Sequence, residues 1–271
     1  MHFSRALGPW IPPLLLFGLW YATSTYVGTS RLPSPYTTAK LLISSASRDS
    51  IIEAQGGGEG GYLPHVSSTA IAVFKSVSVG GISAIILALA VNHFRRLRAV
   101  TNVVLGLLKG LPPLIFVPFA AVSLAGTNDV RLLSVLIYSH ITLLVYALNG
   151  LSAVDKNLLC LAALLGAGRV RRAFTVELPS ILPGLLGPFR LVTAFGLGVS
   201  IVAEYLVSPT GIGRVMKYAL AFSNVGLILV GVVWTVLTAL VCDAIVVTIF
   251  CLFLRGTDRR TLVAWMAREN G

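Results

Sequence analysis

Residues 160–183 read CLAALLGAGRVRRAFTVELPSILP, and the reading of the whole chain turns on them. Apolar segments flank this stretch on both sides, yet it is too polar to remain in lipid. Leu161, Ala162 and Ala163 precede Gly166; Arg169, Arg171 and Arg172 follow; Val176, Leu178 and Pro179 close the run. A glycine between two short helical runs permits a tight reversal, and Pro179 and Pro183 are expected to stop the second run. The predicted shape is a helix–turn–helix lying at a membrane surface. Ser152 to Asp155 stand where their side chains can accept hydrogen bonds from the unpaired amides that open its first helix.

The surroundings require a membrane. Hydrophobic residues make up 56% of the 271 and charged residues 11%, and the mean hydropathy is +0.86. A soluble domain of this size could not bury that balance. A formal net charge of +11 raises nucleic acid as a partner, but the basic residues sit between apolar segments, so the positive-inside rule accounts for them and nucleic acid is not expected. Cys160, Cys242 and Cys251 fit neither a disulfide framework nor a metal spacing and read as packing residues. The chain has no Walker A loop, HExxH, nucleophile elbow or set of carboxylates, Cys and His at ligand spacing. It is therefore not expected to be an enzyme or to bind a cofactor or metal itself.

Working outward, six spans are predicted, at about residues 7–27, 66–91, 100–124, 132–151, 185–207 and 225–254. The first follows Arg5 and carries Trp10 and Trp20 like an aromatic belt. A cleaved signal peptide is the competing reading there, but no clear small-x-small cleavage site is present. The fold class is thus all-α and polytopic. Residues 1–27 form the first transmembrane helix, 28–65 an extracytoplasmic loop with a short surface helix, and 66–271 a core of five transmembrane helices containing the loop at 152–183. Gly56–Gly61, GGGEGG, reads as a flexible loop. Lys75 is the lone charge of the second span, and a mid-membrane lysine costs about 2.5–3.5 kcal/mol unless it snorkels or faces protein or water. Lys109 and the pair Pro112–Pro113 interrupt the third span, a break tolerated only where protein or a cavity satisfies the freed carbonyls. His140 and Asn149 are expected to be buried and hydrogen-bonded, and Asp243 to pair with a basic group near the cytoplasmic face.

The central stretch resembles the EAA loop of importer-type ABC transporter permeases: Glu-Ala-Ala, three residues, Gly, nine residues, Ile-x-Leu-Pro. Gly166, Val176 and Leu178-Pro179 keep that spacing. Cys160 stands at the glutamate position, with Leu161 and Ala162 at the alanines. Three further elements are similar to the taurine, sulfonate and nitrate group of type I importers: Leu32-Pro33-Ser34-Pro35, Pro112-Pro113-Leu114, and Ala203-Glu204 followed by Gly211-Ile212-Gly213.

The resemblance implies a permease subunit that forms the translocation pathway for a small, anionic organic solute. Cytosolic ATPase subunits would supply ATP and Mg, an extracytoplasmic substrate-binding protein would deliver the solute, and a second permease chain, identical or not, would complete the pathway. The residues implied in ATPase coupling are Cys160, Leu161, Ala162, Leu165, Gly166, Arg169, Val170, Arg171, Arg172, Leu178 and Pro179, with Leu158 a further apolar anchor. Lys75, Lys109, Pro112, Pro113 and Glu204 are the pathway candidates. The chain is placed in the cell membrane with both termini cytoplasmic, which puts twelve basic residues inside and six outside. A secondary transporter driven by an ion gradient is the alternative, but its expected internal repeats of interrupted helices are not seen.

Overall fold

A computed structural model describes residues 11–108, 110–124 and 129–254, nearly all of them helical and none in a strand. Twelve α-helices are assigned among these residues: α1 (Ile11–Val27), α2 (Pro35–Ser44), α3 (Ser50–Ala54), α4 (Tyr62–Asn92), α5 (Arg95–Leu108), α6 (Phe116–Ser123), α7 (Asp129–Ser152), α8 (Lys156–Leu164), α9 (Arg169–Arg172), α10 (Leu178–Leu206), α11 (Ile212–Ala221) and α12 (Val225–Phe253). Local chemistry starts several of them. Ser34 accepts from Thr37 N with Pro35 in the first turn of α2, Asp155 accepts from Asn157 N at 2.8 Å to open α8, and Asn224 accepts from Leu227 N to open α12.

Among the described residues, four stretches are long and apolar enough to cross a membrane: α4, residues 130–152 of α7, the continuous run Arg169–Leu206, and α12. The predicted third span is a broken pair, α5 and the run from Pro113 to Ser123, bent by 81°. The 17 described residues of α1 cover about 25 Å, somewhat less than a hydrocarbon core of about 30 Å. Trp20 Nε1 and Ser24 Oγ donate to the carbonyls of Pro33 and Leu32, at 3.1 and 2.7 Å, and tie α1 to the turn before α2.

The centre of the bundle is α4, α7 and α10. Small residues let their backbones approach, as packing in lipid requires. A Cβ at Gly80 would lie 2.1 Å from Ser139 Oγ and 3.0 Å from the Leu136 carbonyl, and one at Gly81 would meet the Phe189 ring at 2.5 Å. Ser76 Oγ donates to Leu132 O at 3.0 Å and Ser139 Oγ to Ser76 O at 3.2 Å. The Gly80→Leu variant is therefore expected to force α4 and α7 apart at a cost of about 1–3 kcal/mol or more, read as a lower unfolding temperature in detergent. A variant as stable as the parent would contradict the close contact.

Several expectations need correction. Pro179 and Pro183 do not stop the second run: α9 continues through a π turn, Ala173–Glu177, into α10, and both Pro183 and Pro188 lie inside that helix. The π turn moves the Leu178 N–H onto Ala173 O, five residues back, and so gives the first proline a register without the usual clash against the preceding turn. The glycine run is docked rather than free. Arg214 donates to Gly56 O at 3.0 Å and Gly57 O at 3.2 Å, and Glu53 accepts from Gly60 N at 2.9 Å. Asn149 is exposed rather than buried, whereas His140 is half-buried with Nδ1 2.8 Å from Ser83 Oγ. Asp243 pairs with Arg190 on α10, Nε to Oδ1 at 2.7 Å and Nη2 to Oδ2 at 3.1 Å. Arg190 lies twelve residues into α10 and Asp243 ten residues before Phe253, the last residue of α12.

Candidate functional site

At one end of the bundle, the chain leaving α7 at Ser152 forms a knob before it re-enters at α10. The knob is built by its termini. Asp155 caps α8, and Gly166 closes it at φ +78°. Gly166 N donates to Ala163 O at 3.0 Å and Ala167 N to Ala162 O at 2.9 Å. Those two bonds are a Schellman closure, whose left-handed position favours glycine. The glycine of the motif is thus required by backbone conformation, and the alanines before it supply the carbonyls.

No residue of α8 or α9 is buried. Leu164, Leu165 and Val170 are 85%, 78% and 72% exposed, and Leu158, Leu161 and Phe174 are exposed beside them. Leu164 and Phe174 were missed in the sequence; the signal was their placement three residues after Leu161 and four after Val170, one helical turn on. Cys160, Arg169 and Arg171 are exposed, Ala162 and Arg172 half-buried. Leu178 packs on the core while Pro179 faces outward. The knob thus presents an exposed apolar cluster rimmed by the basic residues Arg169 and Arg171.

A second feature lies along α7. Tyr138, Thr142, Tyr146 and Asn149 fall on successive turns and face Leu111 and Pro113 across a cavity of about 350 Å3. The Tyr138 and Thr142 side chains interact with each other. Among the described residues no further hydrogen bond reaches these four side chains. Polar groups on a span need partners, so this face borders water, solute or another chain.

The other pathway candidates do not gather there. Lys75 is exposed on a separate apolar groove of about 420 Å3 between α4 and α12, beside Phe74, Trp234 and Cys242. Pro112 precedes the 3-10 turn that carries Pro113 into the α7 cavity. Lys109 lies outside the described residues, as do Arg5, Trp10 and the basic residues beyond Leu254.

Glu204 sits at the opposite end from the knob, 1% exposed. Its Oε1 accepts from Arg131 Nη1 at 3.2 Å and Ser200 Oγ at 3.0 Å; its Oε2 accepts from Thr69 Oγ1 at 3.0 Å and Gly213 N at 3.1 Å. Gly211 N donates to His65 Nδ1 at 3.1 Å and Ile212 N to Thr69 Oγ1 at 3.1 Å. The Gly-Ile-Gly element is thereby explained: a Cβ at Gly211 would lie 2.2 Å from the Glu204 carboxyl carbon, and one at Gly213 2.2 Å from Ile201 O. Four helices, α4, α7, α10 and α11, meet on one carboxylate.

Residues 77–262 match the family described as binding-protein-dependent transport system inner membrane component. The chain belongs to that family. This permease is 22% identical to the taurine transport system permease protein TauC of Escherichia coli (strain K12) over 255 residues, 93% of this chain and 86% of that protein. It is 25% identical over 158 residues to a probable ABC transporter permease protein of Brucella abortus (strain 2308), covering 58% of this chain and 60% of that one. Its fold is similar to that of a chain in the inward-facing MetNI methionine ABC transporter, with a TM-score of 0.51 at 19% identity, covering 69% of this chain and 94% of that one. The permease is a multi-pass membrane subunit of an ABC importer rather than an enzyme. Its family, as described, works with a binding protein.

Proposed function

We propose that the permease is driven by cytosolic ATPase subunits seated on the knob, and that it passes a small anionic solute of the sulfonate, taurine or nitrate kind. The observation that carries the first part is the apolar knob itself, six large side chains exposed on a loop with no buried residue of its own in α8 or α9. A groove on a partner that covers Leu164, Leu165, Val170 and Phe174 removes that surface from water, in the manner of a helix laid into a hydrophobic groove. ATP and Mg belong to the partner. The knob carries Arg169, Arg171 and Arg172 and faces the cytosol under the positive-inside rule, with both termini on that side.

The solute is proposed to pass between the break at Pro112–Pro113 and the α7 face, with a second permease chain closing the path. Three hydroxyls and an amide can donate hydrogen bonds to a sulfonate without the tight hold of a cation. A transport path has to let its cargo leave. Similarity to the taurine permease supports the solute class. ATP binding and release in the partner then shift the bundle between inward- and outward-facing states through their different contacts with the knob.

The test is ATP hydrolysis and taurine uptake by the purified complex in proteoliposomes. Uptake is expected only when the ATPase subunits and loaded binding protein are present. Uptake by this chain alone on a proton or sodium gradient would establish a secondary transporter instead. In the complex, Thr142→Val with Asn149→Leu is expected to lower uptake about tenfold, the loss of one or two hydrogen bonds, while ATP hydrolysis persists. Unchanged uptake would move the path elsewhere.

A further inference from the structure

Behind the knob, the ends of α4 and α7, the start of α5, and α8 and α9 with the π turn line an open cavity of about 420 Å3. Arg98, Lys156, Arg169 and Arg172 line it, against one carboxylate, Glu177. Glu177 is buried and faces its own partners, with Asn92 Nδ2 at 3.4 Å and His93 Nε2 at 3.8 Å. Arg98 donates to neutral oxygens, Asn92 Oδ1 at 2.8 Å and Ser152 Oγ. Among the described residues, Lys156, Arg169 and Arg172 join no ion pair, and Arg172 Nε is buried without a hydrogen-bond partner.

Four cations around one concave space repel one another, and a bound anion relieves that repulsion. The cavity is lined at the ends of α4 and α7, two of the helices apolar enough to cross a membrane, and lipid phosphates sit where spans end. We infer that it is a phosphate-binding site, formed for the group shared by an acidic phospholipid headgroup and free inorganic phosphate. Arginines hold such a group through charge-assisted hydrogen bonds, and the unpartnered Arg172 Nε is one such donor. Because the lining joins the bundle (Arg98) to the knob (Lys156, Arg172), an occupied site ties the two together. The inference is independent of the transported solute and of the ATPase reading.

The experiment uses the full-length permease, with the subunits that purify with it, in phosphatidylcholine nanodiscs with or without phosphatidylglycerol. Native mass spectrometry counts retained phosphatidylglycerol, and thermal unfolding in phosphatidylcholine alone is followed with added inorganic phosphate. Retention of phosphatidylglycerol over phosphatidylcholine is expected to fall about thirtyfold in Arg98→Gln/Lys156→Gln, roughly fivefold per basic residue. The Lys40→Gln/Arg48→Gln control, at the other end of the molecule, is expected to retain it. This result assigns the site to lipid. A thermal shift with inorganic phosphate that the cavity variant abolishes, without selective lipid retention, assigns it to the free anion. Should the double variant not accumulate, Lys156→Gln alone, on the exposed first turn of α8, is expected to show a loss of about fivefold. Equal responses of the parent and the cavity variants to both probes, or no response by the parent to either, would overturn the proposal.

Discussion

Glu204→Ala is expected to destabilise the permease by about 3–5 kcal/mol, because it leaves Arg131 charged, buried and without its counter-ion. Arg131 is 6% exposed and its Nη2 is already committed to Ser68 Oγ at 2.9 Å. It cannot turn to water when the carboxylate disappears. The same substitution releases Thr69, Ser200 and the Gly213 amide, so α4, α7, α10 and α11 lose their common partner together. Glu204→Gln keeps the shape but not the charge, and is expected to fall between alanine and the parent. Replacing both members of the pair with apolar residues, Arg131→Met with Glu204→Leu, is expected to recover much of the loss, since the desolvation cost of both ions is then removed. Thermal unfolding in detergent ranks the four proteins. If the double variant were less stable than Glu204→Ala, the loss would come from the surrounding hydrogen bonds rather than from the unpaired arginine.

The second large effect belongs to the knob. Leu164→Asp with Phe174→Asp is expected to abolish co-purification with the ATPase subunits and ATP-driven uptake, while leaving the permease folded. Apolar anchors at the centre of an interface contribute about 2 kcal/mol or more each when truncated, and a carboxylate placed there adds a desolvation cost. Both side chains are largely exposed in the isolated chain, so their replacement removes little from its own core. An unchanged unfolding temperature with loss of the partner is the expected pairing of results. A complex that forms normally would show that ATPase subunits do not seat on this surface.

The two sites differed in how much of them could be read in advance. Around the knob, Gly166 and its spacing to Leu178-Pro179 were enough, because a left-handed closure needs glycine and the apolar residues around it recur at helical intervals. The proline pair after the Arg171–Arg172 cluster misled. Whether a proline ends a helix depends on the turn before it, and the π turn at Ala173–Glu177 has no signature that local propensity records. At the other end, Glu204 and Gly211-Ile212-Gly213 could be recognised as a signature, but not as a lock. Its counter-ion, Arg131, is 73 residues away in the chain, and Thr69 is 135 away. The same holds for Arg190 with Asp243, and for the polar face of α7, where Asn149 was expected to be buried but is exposed.

Composition and periodicity sufficed for a membrane bundle with one loop expelled from lipid, because the cost of leaving polar groups in hydrocarbon is a property of each segment alone. The pairing of charges and the docking of the glycine run on Arg214 depend on distances between segments remote in the chain. So does the cationic cavity behind the knob, which only the packing of the bundle assembles.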